Sequence, residues 1–424
     1  GGYIGEFKFG SKYRSREKDR DSRITIFDGD FDGLDASQFG TASPEYALGD
    51  FGPGLNRGVM RSYFNDNRSS LEVDSLNSEV ESRGATYVNE EDIFAAYVMG
   101  SVDIEKLHLV AGVRYERTDF STSGMRVELV ENEQTDVEEV VNTPWEAERD
   151  YDYWLPSVNA RYTFSDKLQL RAAYTQTISR PKFEDVAAFQ IIESKTEEDD
   201  GVFVTEREAE VGNPELQPYE AQNVDLSLEY YPGDVGVISA GLFYKNIDNF
   251  VVYADVAGTA GWEGFEEVIQ PINGDSADLT GLELSWVKAF NNGFIISANA
   301  TFTDSEATTF LDGEKFETQL PNQSDRIGNI TIGYEANDFS VRLATTYKSD
   351  NFEEIDGDML RFEDDHVQVD FMARYYINDS MQVYFNGINL GDEPFYNYFD
   401  TRNQNAQYEE YGRTFELGFT WQLN

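Results

Sequence analysis

Residues 157–179, SVNARYTFSDKLQLRAAYTQTIS, set Val158, Ala160, Tyr162 and Phe164 against Ser157, Asn159, Arg161 and Thr163. After a short polar turn at residues 165–167, Leu168, Leu170, Ala172 and Tyr174 alternate with Gln169, Arg171, Ala173 and Thr175. A period of two with one apolar side predicts a β-hairpin that has one greasy face and one wet face. The pattern returns at Val224, Leu226, Leu228 and Tyr230, at Phe294, Ile296, Ala298, Ala300 and Phe302, and at Val367, Val369, Phe371, Ala373 and Tyr375. It ends with Phe415, Leu417, Phe419, Trp421 and Leu423. About 14 such strands are predicted, the first near residues 1–20 and the last near 409–423.

Short polar turns fall at residues 103–106, 165–167, 232–235, 291–293, 336–338 and 378–380. Long polar connections fall between them, at 21–89, 122–149, 181–218, 253–275, 349–362 and 391–409. Tight turns at one rim and long loops at the other are the mark of a transmembrane antiparallel β-barrel of a bacterial outer membrane, crossed many times by one chain. In that architecture the apolar face meets lipid, the polar face lines a lumen, and closure satisfies every backbone hydrogen bond. Tyr151, Tyr153, Trp154, Tyr230, Tyr231, Phe290 and Phe294, near strand ends, are then expected in the interfacial girdles. A soluble all-β sandwich or propeller is the competing fold, and the systematic loop asymmetry counts against it.

Composition narrows the function. No run of about 20 apolar residues exists, which excludes a bundle of membrane helices. The formal net charge of -47 excludes nucleic acid as a partner, because phosphates would be repelled. Cysteine is absent, so there is no disulfide framework and no thiolate chemistry. With two histidines, His108 and His366, a nucleophile–base pair has little material, and no enzyme is expected. His108 sits between Leu107 and Leu109 and is read as a lumen-facing structural residue.

The run DGDFDGLD places Asp28, Asp30 and Asp32 at alternate positions before Gly33, which suits a hard cation such as Ca2+ in an external loop. A full twelve-residue calcium loop would need an acid where Phe39 stands, and a solvated acidic loop with Asp-Gly turns is the plainer reading. Acidic clusters at 197–200, 206–210 and 353–365 either bridge to lipopolysaccharide through divalent ions or keep loops soluble, and an acidic vestibule of this kind weighs against an anionic substrate such as a ferric chelate or an acidic glycan. The GNP and LQP elements at 212–218 read as turn architecture that starts a strand at Tyr219.

Several stretches carry a resemblance: LPSVNARYTFSDKLQLRAAYTQTISRPKFEDV (155–186), GNPELQPYEAQNVDLSLEYY (212–231), GLFYKNIDNFV (241–251), GLELSW (281–286) and the final FNGINLGDEPFYNYF and YGRTFELGFTW. In this order they resemble the C-terminal part of the barrel of TonB-dependent outer-membrane receptors, in a group often linked to carbohydrate uptake. The resemblance implies a 22-stranded barrel of which residues 1–424 are the C-terminal portion, with an N-terminal plug and the first strands preceding it. It implies active uptake of a scarce nutrient, an oligosaccharide first and a ferric siderophore or other metal chelate as the alternative, driven by the TonB complex through that N-terminal region. A passive porin of about 14 strands is the competing channel. The opening GGYIGEFKFG, without an initiator Met, reads as the interior of a longer chain. For a neutral sugar, Trp145, Trp262, Phe265, Tyr396 and Tyr398 are the loop aromatics able to contact a ligand; loop packing is the plainer reading of each.

Overall fold

The alternating runs pair as one antiparallel meander. The computed structural model describes residues 4–28, 34–43, 49, 52–199, 202–233, 235–311, 314–356 and 359–423. Its principal sheet has 19 strands, and fourteen of them form a continuous wall. These are β1 (Ile4–Arg20), β2 (Tyr87–Ile104), β3 (Leu107–Asn132), β4 (Val137–Ser165) and β5 (Leu168–Ser179). They continue as β6 (Tyr219–Gly233), β7 (Gly236–Asp248), β8 (Ser276–Ala289), β9 (Phe294–Leu311) and β10 (Arg326–Glu335). The last are β11 (Phe339–Lys348), β12 (His366–Asn378), β13 (Met381–Ile388) and β14 (Thr414–Trp421). Each pairs with the next in chain order. Among the described residues β1 and β14 do not pair with each other, so the wall is an open one.

Register carries the apolar face unbroken across the wall. Leu170, Leu228, Ala240, Leu284 and Ala300 stand in one row from β5 to β9, and Ile332, Leu343 and Phe371 in another from β10 to β12. Among the described residues no protein layer covers this face: Leu242 is 55% and Leu417 76% exposed. Large side chains left open in rows need an apolar solvent, and the wall is that of a transmembrane β-barrel whose outer face meets lipid. No helix among the described residues is long and apolar enough to cross a membrane.

The six tight turns join the strand pairs at the positions predicted from sequence. Gly293 closes one of them at φ 93°, where a side chain would collide with the carbonyl oxygen of Glu335.

Three expectations need correction. Residues 122–149 are not a loop: β3 and β4, of 26 and 29 residues, run on as one hairpin to a tip at 133–136. About 10 residues suffice to cross a bilayer, so more than half of each strand stands outside it. The connection at 21–86 contains two helices, α1 (Arg57–Asn67) and α2 (Ser75–Gly84). Finally, of the expected girdle aromatics, Trp154, Tyr230 and Phe294 face outward, but Tyr151, Tyr153 and Tyr231 face inward. Tyr153 stands opposite the inner-face Glu116, and the Tyr231 hydroxyl donates to the inner-face Glu229 at 2.5 Å. A strand turns successive residues to opposite faces, so adjacent aromatics cannot all reach lipid.

Beyond the wall the connections build their own β structure. Residues 190–199 and 202–211 form a hairpin that pairs in parallel with the end of β3, Arg126 to Asn132. Residues 267–269 add in parallel to 208–210, and 251–255 pair with 269–273. A separate four-stranded sheet joins 351–356, 359–363, 395–399 and 405–409. The buried clusters gather at this end, around Ile192, Val211 and Val268, around Phe120, Val186 and Leu216, and around Phe250, Ala277 and Ala307.

Candidate functional site at the mouth of the lumen

The connection after β5 is held against the inner wall by its first residues. Pro181 lacks an N–H, and the pairing of β5 with β6 ends at Ser179. Arg180 turns back over β3, donating to Glu116 Oε2 at 2.8 Å and Thr118 Oγ1 at 2.7 Å, and lies 3.8 Å from Glu91 Oε2. Glu116 also accepts from Arg114 Nε at 2.6 Å, and Glu91 accepts from Arg16. Five charges thus alternate in sign, and the Glu91 side chain, only 4% exposed, has a cation on each side. Asn89 Nδ2 donates to Phe183 O at 2.5 Å, while Thr122 Oγ1 donates to Asn89 Oδ1 at 2.6 Å and accepts from Ala188 N at 2.8 Å. Phe183 stacks on Phe120 with centroids 6.5 Å apart.

The 212–218 segment clamps the other side. A side chain at Gly212 would collide with the carbonyl oxygen of Ala187. Asn213 Nδ2 donates to Pro271 O at 3.0 Å, Gln217 N donates to Asn273 Oδ1 at 2.8 Å, and Leu216 is fully buried. β6 then begins at Tyr219, where the turn chemistry places it.

These anchors frame a pocket of about 400 Å3, in the size range of small-molecule sites. Tyr219 and Ile247 wall it from the ends of β6 and β7, Phe250, Val252 and Tyr253 from the connection after β7, Leu320, Pro321 and Asn322 from the connection after β9, and Phe352 to Ile355 from the small sheet. Lys182 also lines it. Tyr219 and Ile247 lie on the face opposite Leu226 and Leu242, so the pocket opens inside the wall at the long-loop rim.

Its chemistry is an apolar floor with few polar groups. Tyr253 OH donates to Asp185 Oδ1 at 2.7 Å, and burial, then that carboxylate, hold its phenol proton well above the usual range. Burial pushes the Glu353 carboxyl above its ordinary value; Arg361, with Nε 3.1 Å away, pulls it back, and Glu354 and Glu363 add to the rise. Glu354 lies 3.2 Å from Arg361 as well. Lys182 forms no ion pair among the described residues, while the two pocket carboxylates, Glu353 and Glu354, share the single guanidinium of Arg361.

Among the described residues, the pocket wall includes none of the five aromatics nominated from sequence. Trp145 is half-buried on the outer part of β4, opposite Gly124. Trp262 and Phe265 meet edge to face at 5.2 Å over the Ile192, Val211 and Val268 cluster, with Arg207 4.1 Å above the Phe265 ring. Tyr396 packs 6.1 Å from Tyr398 and donates its hydroxyl to Arg402 O at 2.6 Å. Tyr398 is 6% exposed, stacked on Phe362 at 5.5 Å, and Phe362 in turn meets the pocket residue Phe352 at 5.9 Å. The structure therefore brings four of these aromatics together as two pairs and leaves Trp145 apart.

Of the calcium candidates, Asp28 is exposed and pairs across from Glu72, while Asp30 and Asp32 lie outside the described residues. Among the described residues no group of three or more His, Asp or Glu is arranged to hold a metal. Lys182 was within reach of sequence reasoning, since it follows the Arg180-Pro181 pair. Phe250, Leu320 and Phe352 were not, because they come from three separate connections.

Residues 2–390 match the TonB dependent receptor-like, beta-barrel family. The chain belongs to that family. The vitamin B12 transporter BtuB of Photobacterium profundum is 24% identical over 210 residues, 48% of this chain and 31% of that protein. The siderophore receptor PiuA of Acinetobacter baumannii superposes with a TM-score of 0.58 at 14% identity, over 99% of this chain and 53% of that one. The ferric-catecholate import receptor Fiu of E. coli K12 gives 0.57 at 15% identity, over 80% and 46%. At these identities the likeness is one of fold. The chain spans about half the length of the two receptor structures and a smaller share of BtuB. In this TonB-dependent receptor-like barrel the pocket sits where the lumen opens among the long connections.

Proposed function

We propose that this wall belongs to a TonB-dependent active transporter of the bacterial outer membrane, and that the mouth pocket captures an anionic metal chelate with an apolar body. The observation that carries this reading is the pocket itself: apolar walls from Ile247, Phe250, Leu320 and Phe352, and in its lining the ammonium of Lys182, which forms no ion pair among the described residues. The relatives fit it, since those above are named as receptors or transporters of siderophores, a ferric catecholate and vitamin B12. An oligosaccharide is the second reading. It draws on Trp145, Trp262, Phe265, Tyr396 and Tyr398, but Tyr398 is buried in packing and Trp262 and Phe265 rest on an apolar cluster.

Calorimetric titration of the full-length protein with a ferric catecholate, with cobalamin and with neutral oligosaccharides separates the two. We expect saturable binding of the anionic chelate, weakened about tenfold by Lys182→Ala, the equivalent of about 1.4 kcal/mol. Tight binding of a neutral oligosaccharide with no response to the chelate would overturn the assignment. Uptake that persists in cells lacking TonB would instead favour the passive porin.

A further inference from the structure

We propose that the inner wall near its short-turn rim carries a binding site for one oxyanion, a carboxylate or a phosphate, centred on Arg161. Register places His108, Arg161 and Arg171 directly opposite one another in a row across β3, β4 and β5. Opposed side chains on adjacent strands start about 5 Å apart, and like charges there destabilise the sheet unless something lies between them. The two outer members have partners. His108 Nδ1 is 2.7 Å from Asp103 Oδ1, and Arg171 Nε donates to Glu229 Oε1 at 2.7 Å.

Arg161, between them, is different. Among the described residues it forms no ion pair, and its Nε is buried with no hydrogen-bond partner. A buried donor left unmade is costly, more so on a charged group, and a guanidinium presents a planar fork that matches an oxyanion. The three side chains line a hollow of about 460 Å3 on the lumen side, together with Asn159 and Ser227. Asp225, two positions along β6 from Ser227, lines the same hollow and opposes a second negative charge there. The site lies at the opposite end of the wall from the mouth pocket and stands independently of the cargo proposed there.

The test is residue-resolved labelling of the full-length protein in detergent with an arginine-specific dicarbonyl, read by peptide mass spectrometry with and without inorganic phosphate. We expect saturable slowing of labelling at Arg161, about fivefold or more, with the exposed Arg57 unchanged; that result assigns a free oxyanion. An Arg161 already shielded without phosphate, and unshielded once carbodiimide has amidated the protein's carboxylates, assigns the oxyanion to a carboxylate of the protein itself. Labelling of Arg161 indifferent to both phosphate and amidation overturns the site.

Discussion

The wall and the outer connections are both β structure, yet they handle apolar side chains in opposite ways. In the wall, Leu242, Leu284 and Leu417 stand in rows with no protein over them. Among the outer connections, Ile192, Val211, Leu216 and Val268 are sealed to 1% exposure or less. The difference is one of solvent. A lipid-facing strand needs no partner layer, because the hydrocarbon completes its surface; a strand in water must find protein to cover it. The outer connections find it by forming antiparallel hairpins and a small sheet, by adding in parallel to the end of β3 and to one another, and by packing charge against charge beneath.

The largest effect that would break this contrast is expected at Arg180. Arg180→Met leaves Glu116 with one cation and Glu91 with Arg16 alone, and should cost about 3 kcal/mol of local stability. Hydrogen exchange should then rise in residues 180–189 and leave β6 to β9 protected; equal loss in both would mean that wall and connections unfold as one unit. The next effect contrasts the two faces of one strand. Leu284→Arg, on the lipid side of β8, should destabilise the folded barrel in vesicles by roughly 2–4 kcal/mol, whereas Ser285→Arg, its inward neighbour, should change little. Urea unfolding of both variants in the same lipid checks this, and equal penalties would contradict the assigned faces.

The smallest effect is a pH response of the mouth pocket. Glu353 has a folded-state pKa above the ordinary carboxylate value, so the folded form takes up that proton first. The folded state therefore gains stability as pH falls through this raised pKa, and the gain is complete below the unfolded value. The same proton removes a negative charge from the pocket that Lys182 lines, so an anionic chelate should bind a few-fold tighter below that raised pKa than above it. Glu353→Gln should bind at the tighter level throughout, and a wild-type profile as flat as the variant's would remove Glu353 from the site.

How much of this could be read beforehand follows the same division. The six tight turns, the fourteen wall strands and the faces of β4, β5, β6, β9, β12 and β14 were legible, because a period-two pattern bounded by polar turns has few other solutions. The hairpin of β3 and β4 was misread beyond Thr122: there the strand carries charge and polar residues on both faces, as an edge standing in water does, and the alternation fades. α1 and α2 were missed inside an acidic stretch whose helical period is short. The Arg180 contacts were half legible, since Pro181 announces the end of the strand but not where the arginine turns.

The amino-acid order by itself determined which residues face lipid and which face the lumen, because strand geometry converts alternation into two faces without reference to anything distant. It also placed the tight turns. Only the tertiary structure decided that Lys182, Phe250, Leu320 and Phe352 share a pocket, that residues 190–196 lie parallel to the end of β3, and that Arg161 stands between His108 and Arg171 with no ion pair among the described residues. These juxtapositions join residues far apart in the chain, and they depend on registers that are set by packing and backbone pairing across the whole wall.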